Sequence, residues 1–159
     1  YHLLGRLGNQ DRDPSERQRL YEQAIDTLEE LHRGSPQVHE FEERLAIVYL
    51  DLGGLHDRAK NAEAAAKALQ SACDHFQAIT PAATAAEHLN RRRNYAVALR
   101  ELARQQIKLD QRDQAVENLQ RSQEYLEGCL QQAGEPELRQ SLERDVRETE
   151  KLRGTLRGT

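Results

Sequence analysis

The side chains that could carry out catalysis or bind a metal are six histidines, two cysteines and many carboxylates. His39 precedes a run of acidic residues, but no second histidine stands at a metal-ligand spacing from it. Cys73 and His75 lie two residues apart, so on a helix their side chains point in different directions and form no thiol–imidazole pair. The sequence therefore predicts no catalytic centre, no metal site and no cofactor, and we expect a protein that is not an enzyme.

The composition indicates long amphipathic helices. The 159 residues are enough for one domain, and 31% of them are charged, 37% hydrophobic and only 4% aromatic. The formal net charge of −4 disfavours a nucleic-acid partner, and the basic run at residues 91–93 lacks interleaved aromatic residues. No apolar run approaches the roughly 20 residues of a membrane span, so no membrane partner is expected.

Both cysteines are expected to be buried thiols. Cys73 and Cys129 each lie in a helical run among apolar neighbours, and a disulfide between them is the alternative. Reduced thiols fit a cytoplasmic protein. The chain contains no methionine and opens at Tyr1 inside a helix-like phrase, which we interpret as a piece of a longer protein.

Apolar spacing and the proline and glycine positions divide the chain into paired helices. The predicted pairs occupy about residues 1–33, 36–79 and 82–132, an end helix occupies 136–153, and 154–159 form a flexible tail, so that 1–153 is a single domain. Within these limits, separate helices are expected at about 1–9 and 14–32. Gly53 and Gly54 are expected to end the helix that follows Pro36, because glycine accepts the left-handed conformation of a helix C-terminus. Pro36, Pro81 and Pro136 open successive units at intervals of about 45 and 55 residues, which indicates an internal repeat.

Residues 94–127 carry the clearest repeat pattern. Apolar and small residues recur there at helical spacing on both sides of a short polar break: Leu99, Leu102, Ala103 and Gln106, then Ala115, Leu119 and Ser122. This pattern resembles a tetratricopeptide repeat. Two earlier stretches resemble parts of the same unit: Leu45, Ala46 and Tyr49 followed by Gly53 resemble its first helix, and Ala24, Leu28 and Leu31 before Pro36 resemble its second. The sequence departs from the family where Gln106 replaces the usual aromatic and where the spacing exceeds the ~34-residue unit.

The long spacing is similar to the divergent repeats that follow bacterial serine/threonine kinases, although no kinase motif is present. The resemblance implies an all-α fold in which about three antiparallel helix pairs and a C-terminal end helix stack into a right-handed superhelical α-solenoid. A compact helical bundle is the alternative. In a bundle the helices at 14–32 and 112–132 would touch, whereas in a solenoid contacts stop at neighbouring pairs.

Two charged stripes are expected to line the concave groove that the resemblance implies, because the first helix of each pair faces that groove. The basic stripe consists of Arg93, Val97, Arg100, Arg104 and Lys108, and the acidic stripe of Glu40, Glu43, Ile47 and Asp51. The stripes either pair with each other and stay solvated, or bind a partner, with Arg100 and Arg104 holding an acidic side chain or the C-terminal carboxylate of a peptide.

The expected function is a non-enzymatic protein–protein interaction module or scaffold that binds a segment of a protein or peptide partner in this groove. The alternative is a structural, self-associating or regulatory module of a larger multidomain protein such as a bacterial serine/threonine kinase.

Overall fold

A computed structural model describes residues 13–79 and 85–157. In these residues the chain forms six α-helices and no strand, which confirms the all-α prediction. The helices are α1 (Pro14–Gly34), α2 (His39–Arg58), α3 (Ala62–Ile79), α4 (Ala85–Lys108), α5 (Arg112–Gln132) and α6 (Pro136–Arg157). The helix predicted at residues 1–9 lies outside the described residues.

Local signals explain where α1 and α3 begin. In α1 Pro14 occupies the first turn, where its missing N–H would have no helical partner anyway. In α3 the side-chain Oδ1 of Asn61 accepts a hydrogen bond from the N–H of Ala64 at 3.1 Å and so caps the helix. The start of α1 at Pro14 agrees with the sequence prediction.

The prediction that Gly53 and Gly54 end a helix is wrong. Helix α2 continues through both glycines to Arg58, and the turn falls at residues 59–61. Gly53 is buried against α3, because a Cβ atom built on it would lie only 2.5 Å from Cγ of Leu69. Glycine serves close helix crossings as well as helix ends, and at this position the crossing requires it.

The turn after α2 recurs after α4 with the same backbone geometry. In the described part of the chain Lys60 and Asp110 are the non-glycine residues with positive φ, at 59° and 58°, and they stand 50 residues apart (60 to 110). The hydrogen bonds that close the two turns match at the same offset. They run from Asn61 N–H to the His56 carbonyl (3.0 Å) and from Gln111 N–H to the Gln106 carbonyl (2.8 Å).

This offset corrects the predicted register of the earlier repeat. The counterparts of Leu99, Leu102 and Ala103 are Tyr49, Leu52 and Gly53, whereas the predicted pattern consists of Leu45, Ala46 and Tyr49 followed by Gly53. The second helices match at the same offset, and all of their repeat residues are buried: Ala65, Leu69 and Ala72 in α3, and Ala115, Leu119 and Ser122 in α5.

Each helix packs on the next one along the chain. In addition α2 approaches α4 and α4 approaches α6, whereas among the described residues α1, α3 and α5 do not approach one another. The apolar core follows this order as successive clusters. One is shared by α1, α2 and α3, the next mainly by α2, α3 and α4, and the last two by α4, α5 and α6.

Helix α6 runs beyond its predicted end at residue 153 to Arg157. Residues 154–157, predicted as part of a flexible tail, are therefore helical. The reason is that Leu152 and Leu156 pack against the cluster formed by Ala103, Ala115 and Leu119, so the last turns of α6 bury apolar surface.

Candidate interaction surface

The predicted stripes lie on α2 and α4. Together with α6, which approaches α4, these helices form what we call the α2–α4–α6 face. Ile47 of the acidic stripe is 38% exposed and Asp51 is exposed beside it, while Val97 of the basic stripe is half-buried.

Part of the basic stripe faces α6. Arg93 donates from Nε to Oδ2 of Asp145 at 3.0 Å and from Nη2 to Oγ of Ser141 at 2.6 Å. Arg100 is only 5% exposed, and its Nη1 lies 3.3 Å from Oδ1 of Asp145 and 3.3 Å from Oε2 of Glu148. These two arginines therefore hold α6 on α4, and a bound peptide would reach Arg100 only if α6 moved.

The C-terminal end of the basic stripe stays accessible. Arg104 donates from Nη1 to Oε2 of Glu101 at 2.7 Å and keeps 40% of its side chain exposed. Lys108 donates from Nζ to the Asp57 carboxylate on α2 and to Oε1 of Gln105 at 3.1 Å. The Lys108 hydrogen bond lowers the pKa of Asp57, which shows that the carboxylate is stabilised in its charged form.

The acidic stripe is also partly engaged within the chain. Glu43 accepts two hydrogen bonds on Oε2 from Arg91, from Nε at 3.0 Å and from Nη2 at 2.9 Å. Glu40 pairs with Arg44 of its own helix at 2.9 Å. Cross-helix pairing of acidic and basic residues thus occurs, but each pair includes a residue outside the predicted stripes, Arg91 in one case and Asp57 in the other.

A cleft of about 250 Å³ opens between the C-terminal halves of α2 and α4, and we call it the Gly54 cleft. It is lined by Leu50, Gly53, Gly54, Asp57, Arg58, Leu69, Glu101, Arg104 and Gln105. Sequence reasoning missed this cleft because it placed the two glycines at a helix end. The turn that ends α4 has a counterpart fifty residues earlier in the sequence, after both glycines. This repeated spacing was the signal that could have placed the end of α2 beyond Gly54.

A cluster of polar side chains, which the sequence did not predict, joins three helices. The Glu42 carboxylate on α2 lies between two imidazoles, 3.0 Å from Nε2 of His32 on α1 and 2.9 Å from Nδ1 of His75 on α3. The His75 ring stacks on Tyr49 with centroids 5.4 Å apart and planes 13° apart. Among the described residues, no group of three His, Cys, Asp or Glu side chains could hold a metal ion.

The two cysteines are free and buried, which confirms the prediction of buried thiols. Burial raises the pKa of Cys73 to about 12 and also raises that of Cys129. A thiol with so high a pKa is almost wholly protonated at neutral pH and is a poor nucleophile.

No protein-family model, no curated protein and no solved structure matches the chain. In the part of the chain that the structure describes, no helix is both long and apolar enough to cross a membrane.

Proposed function

We propose that this chain is a protein-interaction module built as a tetratricopeptide-like solenoid, and that it binds a segment of a partner protein on the α2–α4–α6 face. The observation that carries the proposal is that, in the described part of the chain, alternate helices approach one another on one side of the stack and not on the other. Helix α4 approaches both α2 and α6, whereas α1, α3 and α5, in their described residues, stay apart from one another. Helices that converge on one side and diverge on the other give a curved stack with α2, α4 and α6 on its concave side.

Two further observations support a solenoid over a closed bundle. Within the described ranges α1 does not approach α5, a contact that a compact bundle would need. The turns at Lys60 and Asp110 repeat at a fixed interval, as expected when one supersecondary unit is stacked on a similar one.

The chemistry of the face favours binding over catalysis. Its carboxylates are largely committed to ion pairs between or within helices, such as Asp57 with Lys108 and Glu43 with Arg91. Ile47 on α2 is 38% exposed and Arg104 on α4 keeps 40% of its side chain exposed, so the face offers a polypeptide both an apolar and a cationic contact.

The apolar stripe of α6 is used inside the chain, which favours this role over self-association through α6. Leu142 is fully buried, and Leu138 packs beside it against the cluster that includes Leu126 and Cys129. Self-association through these leucines would require α6 to leave the stack.

Selection from a displayed library of random peptides tests the proposal. We expect selected peptides to bind saturably and to perturb the backbone amide NMR signals of α2 and α4, including those of Ile47 and Val97. Reversing the charge of the face with Arg104→Glu should weaken binding, and the matched change Lys67→Glu on the exposed surface of α3 should not. Selection of no binding peptide, or perturbations confined to α3 and α5, would overturn the proposal.

A further inference from the structure

Gly54 occupies a position where its lack of a side chain has no packing explanation. It lies inside α2, where glycine costs about 1 kcal/mol of helix stability relative to alanine. Its neighbour Gly53 is required by the approach of Leu69 at 2.5 Å, but a Cβ on Gly54 would meet only Nη1 of Arg58, at the ordinary distance of 3.6 Å. What the missing side chain does leave is open space in the Gly54 cleft.

The charges around the cleft select among ligand classes. Asp57 is paired with Lys108, and Glu101 accepts hydrogen bonds from both Arg100 and Arg104. A cationic ligand would therefore have to displace existing partners, and an anionic ligand that bound both guanidinium groups of the cleft, Arg58 and Arg104, would compete with Glu101 for Arg104. A neutral ligand that is attracted to guanidinium groups without displacing their carboxylates avoids both costs.

An aromatic ring is such a ligand, because its face attracts a guanidinium group while its carbon surface packs on apolar atoms. The cleft offers both kinds of partner: the guanidinium groups of Arg58 and Arg104, and the apolar surface of the partly buried Leu50 and of the glycine backbone.

Elsewhere the chain contains a similar arrangement in which the aromatic ring, the guanidinium group and the glycine all belong to this chain. The guanidinium of Arg92 lies over the ring of Tyr125, 5.5 Å from its centroid. It reaches that position beside Gly128, where a Cβ would lie only 2.7 Å from Nη2 of Arg92. Gly128, Arg92 and Tyr125 thus form a glycine–arginine–aromatic group, and the Gly54 cleft holds the glycine and the arginines of such a group without an aromatic residue among its lining side chains.

We propose that the Gly54 cleft receives an aromatic side chain of the partner segment, which lies over Gly54 and against the guanidinium groups of Arg58 and Arg104. This inference rests on the proposed function and names the side chain that anchors the partner. Aromatic residues are among the commonest anchors of protein interfaces, and the lining of this cleft includes two arginines and two glycines.

The test uses two neutral probes of similar size, N-acetyl-phenylalaninamide and N-acetyl-cyclohexylalaninamide, titrated at millimolar concentration against the whole chain. The aromatic probe should shift the amide NMR signals of Gly53 and Gly54 saturably. The cyclohexyl probe should bind about two- to fivefold more weakly, because it lacks the attraction between ring and guanidinium. Equal affinity of the two probes, or no saturable shift at Gly54, would overturn the inference.

Variants of the cleft, with a matched control, test whether the probe binds in the cleft itself. Gly54→Leu fills the cleft with a good helix former and should abolish the saturable shift. Gly154→Leu, at a helical glycine with nothing within 4 Å of its Cβ position, should leave the shift unchanged. Arg58→Gln and Arg104→Gln should each bring the two probes closer in affinity; unchanged discrimination in both variants would refute the assigned roles.

The two levels of the proposal fail in different ways. If library-selected peptides bind the α2–α4–α6 face equally well before and after Gly54→Leu, the aromatic anchor is wrong and the interaction function stands. If no selected peptide binds that face at all, the interaction function itself is wrong.

Discussion

Gly53 and Gly54 are neighbours in one helix, yet their surroundings differ. Gly53 allows Leu69 of α3 to approach the backbone of α2, and Gly54 borders open space. The same alanine substitution should therefore have opposite effects at the two positions, because packing decides at Gly53 and helix propensity decides at Gly54.

Gly53→Ala is expected to lower the free energy of unfolding by about 1–3 kcal/mol, since its methyl group would overlap Leu69 and force a shift. Gly54→Ala is expected to raise the free energy of unfolding by up to about 1 kcal/mol. Urea denaturation of both variants measures the difference. Gly154→Ala, on the exposed side of α6, is the control and should resemble Gly54→Ala; stabilisation by Gly53→Ala would contradict the close crossing.

Alkaline pH should destabilise the fold through two buried acids. Burial raises the pKa of the Cys73 thiol from 9.0 to about 12 and that of the Tyr95 phenol from 10.0 to about 12. The folded chain therefore keeps these protons at a pH where the unfolded chain has lost them. Their contribution to stability is complete below pH 9.0 and is lost progressively as pH rises toward about 12.

Urea midpoints measured between neutral pH and about pH 11 should follow this decline, because that range extends roughly two units above the ordinary pKa of a thiol. Cys73→Ala removes one of the two groups and should make the decline shallower. A midpoint that does not change over this range would contradict the effect of burial on these pKa values.

Spacing along the sequence predicted which residues of the 99–122 stretch are buried, but it did not predict which partners the charged residues find. Arg100 lies 45 residues from Asp145, and His75 lies 33 residues from Glu42. Helical periodicity assigns a residue to a side of its own helix. The neighbour it meets depends on how far the next helix is displaced along its axis, and the sequence pattern does not contain that displacement.

Helix α6 illustrates how a charged residue can set the position of an entire element. Its inward residues alternate by four and three positions: Leu138, Leu142, Asp145, Thr149 and Leu152. Leucines occupy the ends of this stripe, and Asp145, only 6% exposed, occupies its centre and accepts from Arg93. An apolar stripe could slide along α4, whereas a buried carboxylate between two arginines fits at one register.

Asp145→Ala is expected to lower the free energy of unfolding by about 3 kcal/mol, because Arg93 and Arg100 lose the buried carboxylate that they share, while Arg100 keeps Glu101 and Glu148. Hydrogen exchange should accelerate most in α6 and less in α2 and α3. Glu148→Ala provides the control: it removes a carboxylate that is 48% exposed and also contacts Arg100, and it should cost under about 1 kcal/mol. Equal effects of the two substitutions would argue that register does not depend on Asp145.

Helix boundaries were predictable where a residue such as proline or glycine had only one structural explanation. Helix α5 matches its predicted range of 112–132, and α1 begins at Pro14 as expected. The end of α2 was not predictable from Gly53 and Gly54 alone, because the contact that explains Gly53 comes from Leu69 on the following helix.

At the scale of the molecule, stability should be distributed from neighbour to neighbour. Leu28 belongs to the cluster of α1, α2 and α3, and Leu126 to a cluster of α4, α5 and α6, with no member in common. Disturbance at one end should therefore reach the other only through the helices between them.

Leu28→Ala is expected to cost about 2–5 kcal/mol and to raise hydrogen exchange mainly in α1 and α2. Leu126→Ala should give the reverse map, with the increase in α5 and α6. Each variant serves as the control of the other, and a uniform increase along the whole chain in both would contradict neighbour-limited stability.

The matched turns at Lys60 and Asp110 have a consequence for the evolution and redesign of the chain. In their described parts, residues 62–111 consist of α3, α4 and the turn that follows α4, and they end at the point that corresponds to their own beginning. A duplicated copy inserted after residue 111 would meet junctions that the protein already contains. Added copies of this unit would therefore lengthen the chain in steps of fifty residues, and the terminal helices would stay the same.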